Sequence, residues 1–354
     1  MKILIVTNEL LNTCGVSKHL YELLSGFRTF KDLEILIVTG GGNAISKFET
    51  LGYEIIVNEN FKHEKRSPIG FIKAIFWLIK LIAKRKIAVV HSHHHYAANI
   101  AQAAKLFTNT HTIITNHGIL PEIGILSHFP SDHIIAVNQY VVDYISRKNP
   151  HKNKSVHLIH YGIRNRSTKN KRGNEILRFI SASRIVKEKS IDTFIKAISL
   201  LPDSVRNKAE FLIAGEGNYL NDLIKLESEI QSGVKFIGVI EDLQLYLNQT
   251  DVFVMTSKSS SEGFPTALVE AGYAKNLIIT SNFKGLDNIF KDNTDGIVFE
   301  VNNPTALSEK ILFTINNFEK LKMFIENFYS KSICLFDPNT FSNKTFDLYQ
   351  SVKK

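Results

Sequence analysis

The sequence predicts an α/β protein built from two doubly wound domains, each a parallel sheet covered by helices on both faces. Short β-branched runs recur along the chain, each followed by a segment of helix length. The alternation breaks once, at a polar and basic stretch between Gly162 and Glu175, and then restarts. The 354 residues, 44% hydrophobic and 22% charged, have ordinary globular composition and are enough for two cores.

In the first half the expected strands are Lys2 to Thr7, Glu34 to Thr39, Tyr53 to Val57, Ala88 to Ser92, Thr112 to Thr115, His133 to Val137 and Val156 to His160. Amphipathic stretches such as Val16 to Phe27 and Gln139 to Lys148 lie between them. This places a first domain at residues 1–163 and a basic linker at 164–175, where no apolar residue anchors the chain in a core. The second domain, 176–335, has expected strands at Leu177 to Ser181, Ala209 to Ala214, Val234 to Ile237, Val252 to Thr256, Leu277 to Thr280 and Gly296 to Phe299. Ligands of such sheets sit beyond the carboxyl ends of the strands, so the residues just after each strand are read first for function.

Charge narrows the partners. Lysine and arginine number 43 against 34 acidic residues, a net charge of +9 that favours nucleic acid, acidic lipid or phosphorylated metabolites. No DNA- or RNA-binding module pattern is present, so nucleic acid is not expected as a partner. The cysteines, Cys14 and Cys334, lie far apart and form neither a disulfide framework nor a metal spacing, which suits a reducing compartment. The apolar run after Met1 is too short for the core of a signal peptide, and a cytoplasmic protein is expected.

After the strand ending at Thr256 comes Ser261-Glu262-Gly263-Phe264-Pro265-Thr266-Ala267-Leu268-Val269-Glu270, a loop running into a helix with proline expected at its first position. A helix start at Phe264 to Thr266 offers backbone N–H groups to an anion, and Gly263 lets a ligand approach the backbone. Glu262 and Glu270 suit a polyhydroxyl ligand; Glu270 lies in an almost wholly apolar helix, which a merely solvated glutamate would not. After Ser181, Arg184 and Lys189 leave a strand end together and are placed to clamp a diphosphate, although basic loop residues are more often simply solvated. Gly215-Glu216-Gly217 follows the next strand, but Leu220 breaks the GxGxxG dinucleotide pattern.

In the first domain Gly15 closes a loop on a helix start, either for the turn or for an anion. The run His91-Ser92-His93-His94-His95 is expected to set three histidines on one face of an extended segment. Hydrogen bonding to phosphate or sugar is preferred there over a metal site, which needs a fixed turn and usually a distant carboxylate. His117 occupies another strand end. From Ile69 to Lys86 the chain is apolar almost all round, with Lys73, Lys80 and Lys84 on one helical stripe beside Trp77. The run is too short to span a bilayer; it fits a helix lying on anionic lipid, or a buried helix with snorkelling lysines.

Together these motifs resemble the retaining glycosyltransferases of family 4, whose fold, GT-B, is two Rossmann-like domains facing a central cleft. Glu262 to Glu270 looks like the family's E-x7-E motif, Arg184 and Lys189 like its phosphate-binding pair, and Phe211 to Gly217 like its glycine-containing turn. Val234 to Gly238 looks like the strand leading to the base-binding loop, Gly15 falls at the family's glycine-rich loop, and His117 where a histidine reaches the donor sugar. Cys14 stands where a second glycine is usual, Tyr161 where asparagine often precedes Gly162, Ser190 where glycine often follows the lysine, and Asp287 near a common glutamate position.

The resemblance implies an acceptor-binding first domain, a nucleotide-sugar-binding second domain, and a C-terminal helix at 336–354 packing back on the first. It implies transfer of a sugar, with retention, from a UDP- or GDP-sugar to a glycan or lipid-linked oligosaccharide acceptor in surface-polysaccharide, O-antigen, lipopolysaccharide or capsule synthesis. Glu262, His117, Arg184 and Lys189 would be catalytic. Gly15, Gly215, Gly263, Phe264, Pro265, Thr266 and Glu270 would bind the donor, and Lys73, Trp77, Lys80 and Lys84 would contact the cytoplasmic face of the inner membrane. The chain has no Asp-x-Asp ligand set, so no cofactor and no metal is expected: fixed cations replace the ion and activity resists EDTA. The alternatives are a sugar-nucleotide epimerase or phosphorylase of the same architecture, a basic nucleic-acid-binding protein, or an idle scaffold.

Overall fold

Apolar runs of four to six residues with a helix after each leave the chain little choice but parallel strands buried on both faces. A computed structural model describes all of the chain except residues 13, 119–129, 149–154, 168–175, 259–263, 354 and the side chain of Lys353. The chain divides into two units, Met1–Arg164 with Phe336–Lys354, and Asn165–Leu335.

The first unit contains β1 (Lys2–Val6), α1 (Gly15–Phe27), β2 (Glu34–Thr39), α2 (Ile45–Glu49), β3 (Glu54–Val57) and α3 (Pro68–Arg85). These are followed by β4 (Val89–Ser92), α4 (His95–Lys105), β5 (His111–Asn116), β6 (His133–Ala136), α5 (Gln139–Lys148) and β7 (Val156–Leu158). The strands form one parallel sheet in the order β3-β2-β1-β4-β5-β6-β7. Alternate residues of β1 serve opposite cores: Ile3 and Ile5 pack with Leu20, Leu24 and Phe27 of α1, while Leu4 and Val6 pack with Ala74 and Leu78 of α3 and Ile100 of α4.

The second unit contains β8 (Leu177–Ala182), α6 (Ile191–Ser199), α7 (Asp203–Arg206), β9 (Ala209–Ala214), α8 (Leu220–Ile230), β10 (Lys235–Phe236) and α9 (Leu243–Leu247). Then come β11 (Val252–Met255), α10 (Thr266–Tyr273), β12 (Leu277–Ser281), β13 (Ile297–Phe299) and α11 (Pro304–Leu335), which bends at Asn317. Its sheet is also parallel, in the order β10-β9-β8-β11-β12-β13. Of the expected linker, Arg164 belongs to the first unit and pairs with Glu22 at 3.6 Å, whereas Arg166 pairs with Asp242 at 3.1 Å and Ser167 Oγ donates to Asn248 Oδ1 at 2.6 Å, which ties these two to the second unit.

The last helix, α12 (Pro338–Lys353), belongs to the first unit. Phe341, Leu348, Tyr349 and Val352 enter the core beside α1, and the Ile163 N–H donates to the Phe336 carbonyl at 2.9 Å. In each sheet the strand order reverses once, between β1 and β4 and between β8 and β11. Chain ends leaving in opposite directions open a crevice at such a point, and the chemistry-bearing residues gather at both.

Candidate active site

At the switch point of the second unit, β8 leads into a loop carrying Arg184, which is exposed, and a single 3-10 turn, Lys187–Lys189. Ser190 closes the turn in the left-handed region at φ 46°, which explains why glycine suits this position; its hydroxyl bonds Asn302 Oδ1 at 3.0 Å. The loop after β11 is tied to it: Thr256 Oγ1 donates to the Lys189 carbonyl at 2.7 Å and the Lys258 N–H to the Glu188 carbonyl at 2.9 Å. These bonds set the Lys189 backbone against the route into α10.

The turn after β9 supports the same loop. A Cβ on Gly215, at φ +130°, would lie 1.9 Å from the Ser183 carbonyl oxygen, and one on Gly217, at φ +157°, 2.2 Å from that of Ile185. The Ile185 N–H donates to the Glu216 carbonyl at 2.7 Å. Both glycines are therefore required by backbone packing against the Arg184 loop.

Helix α10 starts at Thr266, with Pro265 as its N-cap, one residue later than a proline-first helix would begin. Proline brings no N–H, and the N–H groups of Thr266 and Leu268 are turned onto the carbonyls of Phe264 and Pro265 at 3.0 and 3.1 Å. Phe264 is buried, and Glu270 is buried between Val269 and Ala271. Glu262 and Gly263 lie outside the described residues.

All thirteen histidines of the chain fall before Arg164, and several meet at the switch point of the first unit. His91 is a satisfied core residue, its Nδ1 on the Tyr349 hydroxyl at 2.6 Å and its Nε2 on Thr115 Oγ1 at 2.7 Å. His93, just beyond β4, has Nδ1 3.4 Å from Nε2 of His117, which follows β5. His117 Nδ1 is hydrogen-bonded to the Tyr161 hydroxyl. His19, one turn into α1, lies against Tyr161 and His117 with ring centroids 4.2 and 4.9 Å away. The extended segment ends at His94, whose Nδ1 accepts from the Asn8 N–H at 3.3 Å, and His95 already opens α4, so the run of histidines does not keep one face.

Burial pulls the His91 imidazole down to about 3, those of His94 and His95 to about 4, and those of His19, His93 and His117 well below the usual 6.5. Burial likewise pushes the Tyr161 phenol up. At neutral pH the cluster is uncharged: it can exchange hydrogen bonds or hold a cation, but it carries no positive charge to meet an anion. The sequence alone does not mark His19 and Tyr161 as site residues, although His19 sits one helical turn after Gly15 and Tyr161 departs from the family pattern. Gly15 is the first residue of α1, exposed, and an added Cβ would meet nothing within 4 Å, so neither a turn nor packing demands glycine there.

Helix α3 buries a single ridge, Gly70, Ala74, Leu78 and Ile82. Its outward side leaves Ile69, Ile72 and Phe76 at 67, 53 and 62% exposure, with Lys73, Lys80 and Lys84 also exposed. Trp77 is half-buried, edge-on to Phe61. No helix among the described residues is long and apolar enough to cross a membrane.

Two family models match the chain in tandem, Glycosyltransferase Family 4 over residues 13–165 and Glycosyl transferases group 1 over residues 163–331. The chain is 24% identical over 244 residues to the Methanocaldococcus jannaschii glycosyltransferase MJ1069, a match spanning 66% of this chain and 59% of that protein. It is 21% identical to the N,N'-diacetylbacillosaminyl-diphospho-undecaprenol alpha-1,3-N-acetylgalactosaminyltransferase of Campylobacter jejuni, over 94% of each chain. The structure of Anabaena Alr3699/HepE in complex with UDP matches with a TM-score of 0.85 over 99% of this chain and 100% of that one, at 15% identity.

Proposed function

We propose that this chain, which belongs to the glycosyl transferases of group 1 and carries their family 4 N-terminal domain, moves a sugar with retention from a UDP- or GDP-sugar to a lipid-linked glycan. The glycosyltransferase class and the GT-B fold follow from the family matches and the two parallel-sheet domains. The donor, the stereochemistry and the acceptor are our reading. The observation that carries the donor side is the meeting of the Arg184–Lys189 loop with the route into α10 at the switch point of the second sheet.

A departing diphosphate needs charge compensation where its charge develops, while the sugar ring takes on oxocarbenium character. Arg184 and Lys189 supply it as fixed cations, in place of a divalent ion held by an Asp-x-Asp set. A front-face displacement, in which the leaving phosphate oxygen takes the acceptor's proton, requires no enzyme nucleophile, and we assign none. We assign Glu270 to the ribose and Glu262 to sugar hydroxyls; His117, where the resemblance expects a contact to the donor sugar, has Nδ1 on the Tyr161 hydroxyl and Nε2 3.4 Å from His93 Nδ1. Removing one such contact typically costs about 10²–10³ in rate.

The acceptor reading rests on α3. An apolar trio, Ile69, Ile72 and Phe76, beside an exposed lysine stripe has the chemistry of a helix lying in an anionic lipid surface. The Campylobacter jejuni relative's name specifies a diphospho-undecaprenol acceptor. We therefore place this chain's work at a membrane surface, on a lipid-linked oligosaccharide of surface-polysaccharide assembly.

The test is thermal stability in EDTA against UDP, GDP, ADP, CMP and NAD, for the native chain and Arg184→Ala, whose exposed side chain leaves the core intact. A nucleotide at about 100 times its Kd should add about 2.7 kcal/mol. Stabilisation by UDP or GDP that is lost in the variant supports the donor assignment. Stabilisation by NAD alone, or none by any nucleotide, refutes it.

A further inference from the structure

We propose that His19, His93 and His117 together bind a transition-metal dication of the zinc class in the first unit. The three residues come from α1, the end of β4 and the end of β5, and one ligand atom from each lies within 4.8 Å of the others. His19 and His93 are 3 and 1% exposed. Neither ring nitrogen of His19 has a hydrogen-bond partner among the described residues, and neither does Nε2 of His93.

A buried structural histidine finds a partner for each nitrogen, as His91 does with Tyr349 and Thr115. His19, packed beside it, has none for either nitrogen among the described residues, which leaves two buried polar atoms unsatisfied in the absence of an ion. The 3.4 Å between His93 Nδ1 and His117 Nε2 is long for a hydrogen bond. Two nitrogens on one tetrahedral ion, with bonds of about 2.0–2.1 Å, stand roughly 3.3–3.4 Å apart.

His117 has the second feature of a metal ligand: its far nitrogen, Nδ1, is held by the Tyr161 hydroxyl, which fixes the ring and leaves Nε2 for the ion. Neutral imidazoles suit zinc, copper, nickel or ferrous iron, whereas magnesium and calcium require oxygen ligands. Three protein ligands leave the fourth tetrahedral position to water or another oxygen ligand. This ion is separate from the diphosphate cations Arg184 and Lys189, so nucleotide binding in EDTA tests one reading and metal content the other.

The experiment takes the full chain without a polyhistidine tag, incubated with zinc, gel-filtered and measured by plasma mass spectrometry. About one zinc per chain is expected, falling at least tenfold in His19→Asn and in His93→Gln. His133 and His157, a partly exposed pair 3.2 Å apart, are the control: with both changed to glutamine the zinc stays. If the His19 and His93 variants fail to fold, the native chain is loaded with cobalt(II), whose tetrahedral site absorbs strongly in the visible. Metal at background with no visible cobalt band overturns the proposal, as does zinc that persists in folded His19→Asn and His93→Gln or is lost only with His133 and His157.

Discussion

His91 and Tyr349 lie 258 residues apart in the chain and share a buried hydrogen bond of 2.6 Å between the imidazole Nδ1 and the phenol oxygen. It joins the centre of the first sheet to the last helix. Tyr349→Phe keeps the ring in the core and leaves His91 Nδ1 without its partner, which should destabilise the first unit by about 1–3 kcal/mol. Urea unfolding followed by hydrogen exchange, read on peptides of β4 and α1, checks this. An unchanged midpoint would show that the bond contributes nothing.

In the metal-free chain the buried histidines make the first unit acid-labile. Their folded pKa values lie below the usual 6.5, to about 3 for His91 and about 4 for His94 and His95. Between those values and 6.5 the unfolded chain binds protons that the folded chain does not, so stability is full above pH 6.5 and falls with pH. Each such histidine removes about 1.4 kcal/mol per pH unit across that window. The second unit has no histidine, so exchange protection should fade first in residues 1–164 as pH drops from 6.5 toward 4.

The glycines separate structural from binding roles. Gly215→Ala would drive a Cβ to within 1.9 Å of the Ser183 carbonyl at a positive φ, and should cost more than about 2 kcal/mol and loosen the Arg184 loop. Gly15→Ala meets open space at the first position of α1 and should leave the melting temperature unchanged or slightly raised, because alanine favours a helix over glycine by about 1 kcal/mol. A rise in KM for donor or acceptor without loss of stability would then identify Gly15 as a ligand-contact position.

Helix α3 gives a prediction that leaves the fold untouched. Reversing the exposed Lys73, Lys80 and Lys84 to glutamate should abolish flotation with anionic vesicles, with stability within about 0.5 kcal/mol of native. Equal flotation of native and variant chains, or none of the native chain on anionic lipid, would remove the lysine stripe from the membrane reading.

Strands and helices were legible because both signals are local. β2 runs Glu34–Thr39 and β9 Ala209–Ala214, the bounds expected from the sequence, and Arg184 and Lys189 read as strand-end cations because they follow an apolar run. The sequence of α3 is apolar almost all round; packing divides it into the buried Gly70-Ala74-Leu78-Ile82 ridge and an outward trio that periodicity alone does not single out. The start of α10 shifted by one residue because Pro265 sits at φ −82°, ψ 76°, outside helical geometry.

By itself the sequence determined two parallel α/β domains and the residues that follow their strands, since each depends on the order of apolar, polar and turn residues within a few positions. Tertiary structure decided which strand ends are neighbours. Placing β1 beside β4, and β4 beside β5, brings His19, His93 and His117 together; folding α12 into the first core sets Tyr349 on His91. Such meetings arise from strand order and register across many residues, and no local period in the chain encodes them.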